Sequence, residues 1–252
     1  SNTVYGLGSY YMSTFSFDAG RNAGRTGFHI EFEGKRKEHL ERYPVWTTTF
    51  NMDYHDISEN AVDPDYYESD ELATGYAEME LYNRPNPFLT YYFRSAIKTG
   101  IVNSQFLRVN LQTNIYYKFT KKLKAKLRIW VGGFLDSTNI PKQYFTFLSG
   151  NIDPDFRNNY LINRTADIND ASVGTRQYDI GGPSLHGLVI NENGKMLGVD
   201  DWVISANFEM NIPKIPGKPF MDAAIIPRGD SYFDFGLKKT FGPLSIIMPL
   251  YQ

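Results

Sequence analysis

Between Leu107 and Leu135 the chain sets an apolar residue against a polar one at nearly every second position. Leu107, Val109, Leu111, Ile115, Tyr117 and Phe119 share one side, and Arg108, Asn110, Gln112, Asn114 and Lys118 the other. Leu123, Ala125, Leu127, Ile129, Val131 and Leu135 then oppose Lys122, Lys124, Lys126 and Arg128. A period of two puts successive side chains on opposite faces, so both runs predict β-strands. The two residues between them, Thr120 and Lys121, predict a hairpin. The alternation recurs through Tyr5, Leu7, Tyr11, Phe15 and Phe17, through Phe28–Phe32, Trp46–Tyr54, Ala73–Leu81, Leu89–Ile97 and Trp202–Ile212, and in short strands near 219–227, 231–240 and 243–251. About eleven strands are predicted and no helix. The polar stretches 56–70 and 137–200 read as long loops, against tight connections at 83–87, 120–122 and 213–219.

Periodicity alone leaves open which face looks inward. A soluble β-barrel or sandwich buries the apolar face; a transmembrane barrel turns it to lipid and encloses the polar one. Enclosed charges need partners, and the polar face is sorted by sign. Early strands place Glu31, Glu33, Asp53, Glu78 and Glu80 on it, and middle strands Arg94, Lys98, Arg108, Lys118, Lys124, Lys126 and Arg128, with Glu209 following later. The run from Leu107 to Phe119 reaches about 40 Å when extended and about 30 Å when tilted near 45°, the depth of a bilayer's hydrocarbon core. The pattern therefore predicts an all-β chain, an antiparallel transmembrane β-barrel of about 11–12 visible strands forming one domain over 1–252, with those charged residues lining the lumen. Short turns at one end and long loops at the other fit an outer-membrane barrel.

Composition narrows the partners. The chain has 252 residues, a formal net charge of −2 and no cysteine. That balance gives no electrostatic reason to expect nucleic acid, and thiolate metal sites and disulfides are excluded. Aromatic residues make up 15% of the chain, which suits strands and rings at a membrane interface. No apolar run is long enough for a membrane-spanning helix. Neither a signal peptide nor an initiator Met precedes Ser1, so the chain reads as a mature or excised segment. The expected partners are outer-membrane lipid and protein partners or additional strands that close the sheet. The expected location is the bacterial outer membrane.

Several segments in the second half resemble, in order, the C-terminal barrel of the bacterial surface-antigen superfamily, which includes outer-membrane assembly factors and two-partner-secretion translocators. "RIWVGGFLDSTNIPKQYFTFLSG" (128–150) is similar to that family's strand leading into its long sixth extracellular loop, and "DIGGPSLHGL" (179–188) to the loop tip. "ANFEMNIP" (206–213), "PFMDAA" (219–224) and "GLKKTFGPLSIIMPLY" (236–251) resemble the strands that follow. The resemblance implies a partial barrel belonging to a sixteen-stranded or otherwise completed one, serving as a scaffold that anchors a further domain or assists protein insertion or translocation. It also implies that the tip, through Gly181, Gly182, His186 and Gly187, folds inward to meet Asp222. Where the family carries Arg at the tip, this chain has His186, and Ala224 stands for the family's glycine.

Other chemistry is sparse. His55 lies between Asp53 and Asp56 at a strand end, where outer-membrane hydrolases use such a pair to activate water; it reads as a solvated loop start before a catalytic pair. His29, His39 and His186 are scattered without metal-ligand spacing, and the acidic stretch 56–71 reads as a solvated loop before a calcium site. "GLGSYY" (6–11) lacks the third glycine and the helix of a dinucleotide motif, and "DFG" (234–236) has no kinase context. No catalytic residue, metal or cofactor is assigned, and the chain is not expected to be an enzyme. A rim hydrolase and a small-solute channel are the alternatives.

Overall fold

The computed structural model describes residues 2–4, 11–22, 25–36, 45–57, 71–148, 182–186, 197–227, 229–241 and 244–251, and for the first 45 only the backbone path. The described residues form fourteen strands: β1 (Asn2–Val4), β2 (Tyr11–Asn22), β3 (Arg25–Arg36), β4 (Val45–Ile57), β5 (Glu71–Asn86), β6 (Leu89–Val102), β7 (Gln105–Lys118), β8 (Lys124–Asn139), β9 (Thr146–Phe147), β10 (Gly198–Val199), β11 (Val203–Asn211), β12 (Lys218–Ile225), β13 (Ser231–Phe241) and β14 (Leu244–Tyr251). Twelve of them form one antiparallel meander in the order β1 to β8 followed by β11 to β14. β9 and β10 pair separately within the β8–β11 connection.

Two expectations shift. The first predicted strand is divided: Tyr5 and Leu7 lie outside the described residues, and β1 pairs back on β2. β8 runs to Asn139 and β4 to Ile57, so the two long connections are shorter than the sequence pattern suggests. Among the described residues β14 does not pair with β1, and the sheet is not closed. The longest connections, 58–70 and 140–202, share one end of the sheet, though that end also carries the short links 103–104 and 226–230.

The alternation decides the two faces as an inversion of an ordinary globular sheet. Phe50, Ile97, Leu111, Ile129, Ile204, Met221, Phe233 and Ile246 are exposed on one face. Asp53, Lys98, Arg108, Gln112, Arg128, Asn207 and Asp222 are buried on the other. Polar side chains from β6, β7, β8, β11, β12 and β13 all reach the same inserted loop segments, which requires the polar face to be concave.

Candidate functional site: a loop tip held against the polar face

After β8 the chain turns back under its own strands. Pro141 opens a single 3-10 turn, Lys142–Tyr144, whose Tyr144 ring is fully buried. Phe106 lies 5.0 Å from that ring and Lys98 Nζ 4.7 Å above it. Arg108 then donates to the Tyr144 carbonyl (3.0 Å) and to Thr146 Oγ1 (3.1 Å). A small apolar cluster of Trp130, Leu148, Leu185, Val199, Val203 and Ala224 lies on the otherwise polar concave face. Trp130 thus departs from the outward apolar set because the inserted loop supplies it with a dry surface.

Residues 182–186 form the second insertion. Gly182 and Ser184 hold φ of +65° and +55°, left-handed values that reverse the chain within three residues. Arg128, 7% exposed, donates to the carbonyls of Gly182 and Pro183 (3.0 Å to Pro183), and to Asn207 Oδ1 and Gln112 Oε1, both at 2.9 Å. Ser205 donates to Pro183 O (3.2 Å) and the Asn207 amide to Ser184 O (3.2 Å). A buried guanidinium without such acceptors would cost several kcal/mol; here main-chain and amide oxygens satisfy it.

His186 ends the segment. Its backbone N–H donates to Asp222 Oδ2 (2.7 Å), and its Nδ1 lies 2.6 Å from the same oxygen, a contact that assigns the ring proton to Nδ1. Asp222, with no exposed surface, accepts on its other oxygen from the Asn207 amide (3.1 Å). Nε2 faces two groups of opposite character: Glu209 Oε1 at 3.4 Å, which accepts from an imidazolium, and Lys238 Nζ at 3.0 Å, which donates only to a neutral ring. Lys238 also pairs with Glu209 (2.8 Å). Burial pushes the imidazole down, but the hydrogen bonds to Asp222 and Glu209 and the Asp222 charge outweigh burial and Lys238 together, so its pKa is raised. Phe220 stacks on the ring at 4.4 Å. Its own ring lies across Gly236, where a Cβ would collide with the Met248 carbonyl and approach Phe220 to 2.9 Å.

The structure brings His186, Gly182 and Asp222 together and places Glu209 beside them. Gly181 and Gly187 lie outside the described residues. Glu78 and Glu80 do face inward, but their partner is adjacent rather than across the concavity: Arg94 Nε donates to Glu78 Oε2 at 2.7 Å and lies 3.9 Å from Glu80. Tyr76 and Tyr92 complete that cluster. Asp53, Lys98, Arg108 and Arg128 are buried. Lys126 faces the Tyr116 ring at 5.8 Å. Lys118 and Lys124 register directly across from each other beside the β7–β8 turn, with Lys118 partly exposed and Lys124 exposed. Glu31 and Glu33 register with Asn51 and Thr49 on β4 and with Ser16 and Thr14 on β2. The His55 side chain and the acidic stretch 58–70 also lie outside the described residues.

Gln112, Asn207, Ser205, Lys238 and Phe220 belong to the site without having been singled out from the sequence. All five occupy polar-face positions of their strands, so the alternation carried the signal; their convergence needed the fold. Among the described residues no group of carboxylates and histidines is arranged to hold a metal ion. No family model and no curated protein matches the chain, so its function must be argued from this geometry.

Proposed function

We propose that the chain is an outer-membrane β-barrel domain whose enclosed face is occupied by its own loop, and that it acts as a membrane scaffold. The observation that carries this reading is the inversion of the faces. Large apolar side chains such as Leu111 (42%), Met221 (48%) and Ile246 (52%) stand exposed on the convex side, while Arg108 and Arg128 (7% each) are buried on the other. Water would leave that convex face unfavourable at about 25 cal/mol per Å² of apolar surface, whereas lipid tails accept it. Strands of 14 and 16 residues in β5–β8 support a bilayer crossing, since about 9–11 tilted residues suffice.

The occupied concavity favours scaffold over open channel. The scaffold anchors a domain or serves protein insertion, in line with the surface-antigen resemblance. An unpaired strand edge in hydrocarbon is costly, so further strands or a partner complete the sheet. The end with the connections 58–70 and 140–202 is then the extracellular one.

The test is refolding into lipid vesicles followed by flotation and unheated gel electrophoresis. A folded, vesicle-bound, heat-modifiable species is expected. A chain that stays monomeric and folded in plain buffer would contradict the reading.

A further inference from the structure

The two ends of the sheet carry opposite charge. At the end proposed to be periplasmic, the segments 84–90, 116–126, 210–220 and 236–248 hold ten Lys or Arg residues and no Asp or Glu. The remaining connections at that end, 5–10 and 37–44, lie outside the described residues. At the opposite end stand Asp56, Glu71, Asp136, Asp200, Asp201 and Asp230, against Arg21, Arg25 and Lys142 among the described residues.

Four of the cations at the proposed periplasmic end, Arg84, Lys121, Lys122 and Lys214, stand exposed in or beside the turns themselves.

Beside the lysines, three turns present a large exposed apolar side chain each: Phe88 (57%), Phe119 (53%) and Ile215 (41%). Tyr117 packs edge-on against Phe119 at 4.7 Å, on the same outward face as Leu111. An acidic protein would be met by the lysines alone. Rings and an isoleucine continuous with the apolar convex face, with ammonium groups beyond them, match a lipid interface, where rings lodge at headgroup depth and lysines reach the phosphates.

We propose that this rim binds the headgroups of anionic phospholipids in the surrounding leaflet, their phosphates meeting Arg84, Lys121, Lys122 and Lys214 while Phe88, Phe119 and Ile215 enter the acyl boundary. The inference rests on the membrane reading and adds its lipid selectivity. Each rim lysine near a charged surface is worth roughly fivefold in association, screened by salt.

The experiment compares the refolded chain with Lys121→Gln/Lys122→Gln/Lys214→Gln in flotation with phosphatidylglycerol-containing and pure phosphatidylcholine vesicles, with polyglutamate as competitor. The wild type is expected to prefer phosphatidylglycerol, and the triple variant to lose about a hundredfold of that preference. Because the three side chains are exposed in turns, the variant should melt no lower than the wild type in detergent. Equal binding to both vesicles, or a preference untouched in the variant, overturns the proposal while leaving the membrane reading standing. Displacement by polyglutamate, with tight polyglutamate binding in phosphatidylcholine, overturns it in favour of an acidic protein partner. Failure to float with either vesicle overturns the membrane reading itself.

Discussion

Replacing Asp222 with Asn tests the loop tip most directly. The carboxylate accepts two N–H groups of His186 and one from Asn207, in a position with no exposed surface. Asn keeps the shape and one acceptor oxygen, removes the charge, and turns an NH2 group toward donors it cannot satisfy. Losing a hydrogen bond to a buried charged group costs about 1.5–3 kcal/mol, so the fraction of molecules with an open tip should rise roughly 10- to 150-fold. The pH dependence has a definite sign. The folded-state pKa of His186 is raised, so the charged latch contributes in full below the ordinary imidazole value and fades as pH climbs through the raised one. Asp222, Glu209 and Lys238 set that balance, with Lys126 opposite Glu209 across the ladder. Since the chain has no cysteine, Ser184→Cys supplies a single reporter, and its maleimide labelling, normalised to a free thiol at each pH, reads the opening. Labelling of the reporter protein should quicken from mildly acidic to mildly alkaline pH; with Asp222→Asn it should be fast at both. Equal labelling of the two proteins, or no pH effect when Asp222 is intact, would refute the reasoning.

Three further outcomes follow from the same geometry. Leu111→Arg places a charge in the middle of the exposed apolar face of β7 and should block stable vesicle assembly, at a cost of about 2–4 kcal/mol, whereas Leu111→Phe should assemble normally. Gly236→Ala should lower the melting temperature in detergent, since overpacking against Phe220 and the β14 backbone costs about 1–3 kcal/mol. In planar bilayers the wild type should show no large, stable currents, and Arg128→Met, which releases the carbonyls of Gly182 and Pro183, should raise the frequency of openings; large steady wild-type currents would instead favour the channel.

Much of the sheet was legible because a period of two is a local signal. β6, β7, β8 and β11 fall close to where alternation places them, and the hairpin at Thr120 follows from its length. The contact of His186 with Asp222 was accessible only through a resemblance; 36 residues separate the two, and no spacing rule joins them. Partners were legible only as alternatives. Charges sorted by sign suggested a basic wall meeting an acidic wall or an inserted loop; Glu78 pairs with Arg94 on the next strand, and Arg108 and Arg128 turn to loop carbonyls. Main-chain oxygens carry no mark in a sequence, so an arginine destined for them looks like one awaiting a carboxylate. Trp130 was equally hidden, because its neighbours Leu148 and Leu185 come from the inserted loop.

The grip on residues 182–184 is made through main-chain oxygens, by Arg128, Ser205 and Asn207. Every amino acid offers that oxygen, so the wall recognises a path rather than an identity. The grip on these oxygens thus depends on the left-handed turn, and deleting one residue would put all three carbonyls out of reach together. A surface loop anchored in this way can change its outward sequence, and with it whatever recognises it from outside, without renegotiating its attachment within.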